Sequence, residues 1–567
     1  MKTIKYIVIL LLCIGAVSCN FLDKEPYELT PETYFNNETE LNNFLIGVYN
    51  PLMQETFYGN YYPLYIAGGD DLTFYQRSTP YNSILCANAN SATADIMTYW
   101  RTLYDGINRA NMLLENADKN PEISQSLRDR VKAEALFLRS FYYFHLIQGW
   151  GDVPLGLQSA QSVEGLSIPR TDKQVIYDQI IEDIKNTISY LPKADAQTQT
   201  GTVTQSVAQG ILARIYLFRA GEHYRDNKAS DSNTQKYFEE AKYWAEQVKA
   251  SNLHGLVSSY SQVFTDMCTD QYNSTGVRES LWEVEEAGNR INSANYSAGR
   301  IGNTLGFGST TDYSASSTYK NYTGMKNPGY SYRFAYASLK LYDMYENQGD
   351  TERGNWNIAP YEYEYATTGE KQVIGRLYFY GKRPEGLTSV DGMPCKDYTA
   401  TEAQSVNKTR NAAKYRRELE VVTPKNKNYT PINFPILRYS DVLLMLAEAE
   451  NEVNGPTALA YECINMVRER AKLTPLSGLS KDDFREAIKD ERAMELCFEA
   501  LRRWDLIRWG EFYTKMNEMV SYVTRPGWNS GHTYAADYYK VTPAYVYFPI
   551  PDWEISTNKA VKQNAGW

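Results

Sequence analysis

Apolar residues recur at three- and four-residue steps over most of the chain, which predicts a largely helical protein. The clearest stripe lies within residues 490–510, where Ala493, Leu496, Cys497, Ala500, Leu501, Trp504 and Ile507 share one side. The spacing predicts a single core helix stopped by Gly510. Arg492, Glu495, Glu499, Arg502 and Arg503 fall off the stripe and are expected on a salt-bridged outer face, Glu499 meeting Arg502 and Arg503 at i+3 and i+4. The same period predicts helices over 38–51, 93–117, 124–148, 171–191, 204–219, 235–250, 440–453, 457–473 and 482–509. Short connections such as the one at Pro121 make several of these αα-hairpins. Their recurrence predicts a mainly α, tetratricopeptide-like stack of helix pairs, although the strict repeat consensus is absent.

The period fails in two places. Residues 57–82 are rich in Gly, Pro and Tyr and read as a loop region. A longer irregular stretch, about 257–436, has one helical pattern at 336–347 and two strand patterns at 281–286 and 375–380. Long loops inside a folded chain are commonly functional. The expected organisation is one α-rich domain: a helical scaffold at about 38–256 and 437–510, a ligand-facing irregular part at 257–436, and a C-terminal tail at 511–567.

The N-terminus departs from both patterns. Lys2 and Lys5 precede an apolar run at 7–16, too short to span a bilayer, and small residues then lead to Cys19. The stretch AVSC resembles a lipoprotein signal, in which Cys19 becomes the acylated first residue, although Ala16 stands where such signals usually carry Leu. Residues 1–18 are thus expected to be removed, and lipid on Cys19 to hold the chain on a membrane. Asp23 and Glu25 are similar to acidic signals that send such lipoproteins to the cell surface.

Charge narrows the partners. The net charge is −10, and losing residues 1–18 with Lys2 and Lys5 leaves −12. This excludes the basic footprint that phosphate backbones require, so nucleic acid is not an expected partner. Cys86, Cys268, Cys395, Cys463 and Cys497 show no metal-type spacing, and the 4 His are scattered. No metal or cofactor is expected. No nucleophile elbow, phosphate loop or zincin motif occurs. His145 sits near an apolar helix face and reads as packed. Asp70 and Asp71 read as a turn, with a carboxylate pair as the alternative. No catalytic residue is assigned.

Tyrosine is the compositional outlier, at 48 residues. Its flat face and hydroxyl suit polar, ring-shaped ligands. A sugar site needs exposed rings to stack on and Asn, Asp or Arg to bond hydroxyls. Two irregular regions supply these: Tyr75, Arg77 and Tyr81 in the first, and Asn295, Tyr296, Phe307, Tyr313, Tyr319 and Tyr322 in the second, with Trp356 as a further candidate. The alternative for each is packing of loop on scaffold. Trp100, Trp282, Trp504 and Trp553 read as structural.

Three stretches and the start at Cys19 carry a resemblance. ERAMELCFEALRRWDLIRWG (491–510), LRYSDVLLMLAEAENEVNGPTALAYECINMVRERAKL (437–473), VYFPIPDWEISTNKAVKQNAGW (546–567) and CNFLDKEP occur in the order seen in the SusD/RagB family of outer-membrane nutrient-binding lipoproteins. The resemblance implies four tetratricopeptide-like repeats interrupted by a long insertion. It further implies a lipid-anchored position on the outer face of a Gram-negative outer membrane, and a TonB-dependent, SusC-like transporter as partner. The expected function is glycan capture and delivery without bond cleavage. A peptide-capture lipoprotein on the same scaffold and a surface glycoside hydrolase are the alternatives, the latter needing two carboxylates facing across a cleft.

Overall fold

In the computed structural model, residues 34–567 are described apart from 161–166, 196–197, 228–230, 289–298, 314–325, 369–370, 380, 402–409 and 527–529. The first long hairpin joins α2 (Ala94–Asn116) to α3 (Gln125–Trp150), and α1 (Glu38–Met53) lies across both. Their crossing is close because Gly106 faces the Tyr142 ring. A Cβ at Gly106 would sit 2.5 Å from that ring, which cannot retreat, since its hydroxyl donates to the Val48 carbonyl at 2.6 Å. Gly106→Ala is therefore expected to lower stability by about 1–3 kcal/mol, as overpacking does, read as a shifted urea midpoint with an unchanged slope.

Helix α4 (Lys173–Thr187) packs on α3, and α5 (Gln205–Asn227) pairs with α6 (Ser232–Ala250). Helix α7 (Tyr260–Thr269) opens the irregular stretch, which also holds α8 (Leu339–Gln348) and α9 (Thr351–Asn357). Helix α10 (Tyr439–Asn454) returns against α6 and packs on α11 (Ala458–Arg470) and α12 (Lys481–Leu496). The protein is mainly helical, and its stacked helix pairs are consistent with a tetratricopeptide-like scaffold. Among the described residues no helix is long and apolar enough to cross a membrane.

Short strands accompany the helices, most of them in the irregular stretch. In chain order they are β1 (Thr73–Tyr75), β2 (Val153–Pro154), β3 (Arg170–Thr171), β4 (Ser280–Val284), β5 (Ala335–Ala337), β6 (Tyr361–Thr368), β7 (Lys371–Tyr378), β8 (Ser389–Val390), β9 (Met393–Asp397), β10 (Arg410–Asn411) and β11 (Phe434–Arg438). Strand β5 is central between β1 and β10, β4 pairs with β11, β2 pairs with β3, and β6, β7, β9 and β8 form a small sheet in that order. The loop reading of 57–82 is corrected in part: the stretch holds a helical turn at Tyr62–Ile66 and strand β1, and Phe57, Tyr62, Leu64, Tyr65 and Ile66 are buried.

The single helix expected over 490–510 is broken. Helix α12 ends at Leu496, Phe498 and Ala500 adopt φ of +62°, and α13 (Arg502–Arg508) starts in a new direction. The break turns Glu499 inward, away from Arg502 and Arg503. It accepts instead from Arg438 at 2.7 and 2.8 Å and from Lys414 at 2.6 Å. The expected solvated outer face is thus a buried one. Glu495 meets Arg438, Arg470 and Arg353 at 3.0, 2.5 and 3.3 Å, and all four side chains are at most 3% exposed. Burial opposes its ionisation, yet Arg470, Arg438, Arg353 and Lys414 hold the Glu495 carboxyl well below the usual carboxylate range. A second buried set joins Arg214, Arg492 and Arg508 to Asp441, Asp505 and Glu448.

His145 is a packed residue, its ring nitrogens hydrogen-bonded to Tyr58 and Tyr99 hydroxyls. Trp100, Trp282 and Trp504 are core residues, Trp504 donating to the Tyr62 hydroxyl at 2.8 Å. Trp553 departs from that set: it is 45% exposed, with the Arg101 guanidinium 4.2 Å from its ring centre. The five described cysteines are buried and free.

Candidate ligand-binding surface

The site begins with the β1–β5 pairing. Antiparallel register sets Thr73 opposite Ala337 and Tyr75 opposite Ala335, and Gln76 extends the ladder by donating to the Phe334 carbonyl at 2.9 Å. Past this point both chains leave the sheet on the same side. The outgoing strand gives Arg77 and Tyr81, and the incoming one gives Tyr330, Tyr332 and Phe334. Three hydroxyls from 530–539 clamp the outgoing chain: Tyr534 donates to Gln76 O, Tyr538 to Arg77 O at 2.6 Å, and Tyr539 to Thr73 O at 2.8 Å.

These residues form a strip of rings. Tyr330 and Tyr332 meet edge-to-face at 5.0 Å, and Tyr332 stacks on Phe334 at 5.0 Å with only 10° between planes. The Arg77 guanidinium lies 4.7 Å above the Phe334 ring. Tyr75 packs under Phe334 at 5.6 Å, and beside it Tyr61, Tyr65 and Tyr81 follow at 6.0 and 4.5 Å. Lys427 sits 5.0 Å over Tyr330. Such separations are those of favourable ring contacts. Arg77 and Tyr81 are exposed, and Tyr61, Tyr330 and Tyr332 keep part of their surface in solvent. Arg333 adopts φ of +51°, a strained value for a side chain of that size. It is held there because Tyr332 N–H donates to Asn303 O at 2.7 Å and Phe334 N–H to Thr304 O at 2.8 Å. Strain of this kind concentrates where a side chain must be presented at a set angle.

One buried acid lies behind the strip. Asp95 accepts from the Tyr81 hydroxyl at 3.3 Å, while its Oδ2 has no hydrogen-bond partner. Burial pushes its carboxyl up to about 6, and the Tyr81 bond only partly offsets this. The folded state therefore binds the Asp95 proton more tightly than the unfolded chain, and ionising the group costs stability as pH rises from the ordinary aspartate range through about 6. Asp95→Asn is expected to raise the melting temperature at pH 8, with the gain shrinking at pH 5. Equal gains at both values would contradict this account.

Asp70 and Asp71 have structural roles. Asp71 holds Arg502 at 2.8 and 3.0 Å and also pairs with Lys340; burial opposes its charge, but these cations keep the carboxyl far below its usual range. Asp70 Oδ1 accepts from Leu72 N–H at 2.9 Å, and burial with the neighbouring Asp71 pushes it up to about 7. Among the described residues, no group of three or more His, Cys, Asp and Glu could hold a metal ion.

The predicted residues divide as follows. Arg77 and Tyr81 lie on the strip. Tyr75 is a correction: at 4% exposure it supports the strip from below, because the β1–β5 pairing covers it. Trp356 is partly buried and stands apart from these rings: its Nε1–H donates to the Lys414 carbonyl at 3.3 Å and the Arg416 guanidinium lies 4.1 Å from its ring centre. Phe307 and Tyr313 are buried as well. Asn295, Tyr296, Tyr319, Tyr322 and Cys19 lie outside the described residues. Sequence reasoning missed Tyr61, Tyr330 and Tyr332. The alternation Tyr330-Ser331-Tyr332-Arg333-Phe334 leading into β5 was the available signal.

A helical stack presenting an aromatic, partly cationic strip beside irregular loops is the architecture of a binding protein. The chain belongs to the SusD family: the model described as "SusD family" matches residues 278–567, and one described as "Starch-binding associating with outer membrane" matches residues 20–217. It is 27% identical to SusD-like protein P25 of Formosa agariphila, over 100% of this chain and 98% of that one. The solved structure of a SusD homolog from Bacteroides thetaiotaomicron superposes with a TM-score of 0.79 at 25% identity, covering 96% of this chain and 100% of that one. Surface glycan-binding protein A of the same organism, solved in complex with laminarihexaose, superposes at 0.63 with 18% identity, covering 93% of this chain and 99% of that one.

Proposed function

We propose that this protein is a surface lipoprotein that captures an oligo- or polysaccharide and passes it to a TonB-dependent, SusC-like transporter, cleaving no bond. The observation carrying the reading is the strip of Tyr61, Tyr81, Tyr330 and Tyr332 with Arg77 and Lys427. Its rings suit the C–H faces of sugars and its cations suit their hydroxyls. The laminarihexaose complex of a relative with the same fold supports a glycan as the ligand class. Asn295, Tyr296 and Tyr322 complete the site in this reading. They are near in sequence to described residues of this region: Arg300, whose N–H donates to Gly59 O at 2.8 Å, and Tyr330. Acyl chains on Cys19 hold the protein to the outer membrane with the strip facing outward. The irregular residues 257–436 then form its ligand-facing part, carried by the helices at 38–256 and 437–510.

The test is electrophoresis of residues 20–567 in native gels cast with a panel of polysaccharides, with reducing-sugar release assayed in parallel. Retardation without sugar release is expected. Sugar release would replace the binder with a hydrolase. Retardation by no polysaccharide together with saturable binding of peptides would replace glycan with peptide capture.

A further inference from the structure

A cavity of about 540 Å³ lies away from the strip, where α5, α6, α10, α12 and the end of α13 converge. None of its lining residues belongs to the strip. Its size is that of a small-molecule site. Three aromatic side chains line it: Tyr224 from α5, 48% exposed, and the partly exposed Phe238 and Trp509. Trp509 is held in place, its Nε1–H donating to Glu448 Oε1 at 2.8 Å and the Arg508 guanidinium lying 4.8 Å from its ring.

The charged walls are already paired. Arg485 bonds both Glu452 oxygens at 2.6 and 2.8 Å, and Lys489 bonds Glu486 and Glu511 at 2.7 and 2.5 Å. Arg508 is paired with Glu448. An ionic ligand would have to break such pairs and leave a partner uncompensated. A neutral ligand does not. The ammonium of Lys489 has three N–H donors and gives two to carboxylates, and the carboxylate oxygens retain lone pairs. Fixed donors and acceptors around aromatic faces fit a neutral, hydroxyl-rich ring.

We propose that this cavity is a second carbohydrate site, taking a neutral hexose unit against Tyr224, Phe238 and Trp509, with its hydroxyls on the Arg485, Lys489 and Glu448 groups. The inference does not rest on the strip, and the two sites fail separately.

The experiment is ¹⁹F NMR of the full chain in detergent, labelled with fluorotryptophan, the Trp509 resonance being assigned by its loss in Trp509→Phe. Glucose, galactose and mannose are titrated to about 50 mM, well above a millimolar Kd, alongside maltohexaose and laminarihexaose. A saturable shift of the Trp509 resonance with at least one of them is expected. Tyr224→Ala should weaken it by about tenfold, the loss of one ring contact. Tyr224→Ala with Phe238→Ala should abolish it, and Tyr332→Ala should leave it unchanged. Where the double variant does not fold, the single exposed Tyr224→Ala decides. No shift with any of the five sugars overturns the proposal. So does a shift that survives Tyr224→Ala at full affinity, or one produced only by charged dipeptides.

Discussion

Glu495→Gln is expected to cost about 3–5 kcal/mol of stability at pH 7, the typical cost of removing one partner of a buried ion pair. Five cations, Arg353, Lys414, Arg438, Arg468 and Arg470, are tied to five carboxylates, Glu279, Asp350, Glu491, Glu495 and Glu499, in one connected set. The set is neutral only while every member keeps its charge. Gln restores the shape of Glu495 but leaves one buried positive charge without compensation, near Arg438 and Arg470, which are 0% and 3% exposed. Removing a cation as well, in Glu495→Gln with Arg470→Met, restores balance and is expected to recover part of the loss. Urea midpoints for the two single variants and the double measure this. A double variant that loses the sum of the singles would show that net balance is not what matters. The sign with pH also follows. A carboxyl held below its usual range contributes stability above the unfolded-state value, and loses it as pH falls through and below that value. The deficit of Glu495→Gln should therefore shrink in acid, because the unfolded parent chain takes up the Glu495 proton while the folded state does not, which removes the parent's advantage.

That network marks where the sequence misleads. Periodicity located the helices well: 93–117 against Ala94–Asn116 and 440–453 against Tyr439–Asn454 differ by a residue at most. It assigned the polar residues of 490–510 to solvent because a 3.6-residue period distinguishes two faces without saying what covers either. Here the polar face is covered by Arg353, Arg438 and Arg470 from α9, β11 and α11. The break after Leu496 was hidden for a related reason. Phe498 and Ala500 are not residues that advertise a left-handed backbone, and the turn is held by distant contacts such as the Tyr415 hydroxyl on Phe498 O at 3.2 Å.

The candidate site was half legible. Composition pointed to 57–82, and Arg77 and Tyr81 are exposed there. It could not rank Tyr75 against Tyr81, since burial at Tyr75 comes from β5, more than two hundred residues away. Trp356 was a further candidate from the irregular stretch 257–436. Its partners Lys414 and Arg416 lie about sixty residues on in sequence.

The strip itself makes the second large prediction. Tyr81→Ala with Tyr332→Ala is expected to weaken the glycan found by gel retardation by roughly three orders of magnitude, taking about 2 kcal/mol for each stacking ring at the centre of a site. The melting temperature should fall by no more than about 3 °C, because a ring that keeps part of its surface in solvent contributes little to the core. Tyr81 is 38% exposed, and Tyr332 packs on Phe334 by one face only. Trp356→Ala is the counterpart. Its ring lies under the Arg416 guanidinium and its Nε1–H is bonded to Lys414 O, so losing both contacts should lower the melting temperature and leave affinity in place. The reverse outcome, affinity lost in Trp356→Ala and kept in the double Tyr variant, would move the site from the β1–β5 edge to α9. Loss of affinity in both, with only Trp356→Ala destabilised, would show that the strip depends on α9 for its shape. The intermediate Tyr75→Ala separates support from contact: buried under Phe334, it should lower both stability and affinity, whereas a ring that touches sugar lowers affinity alone.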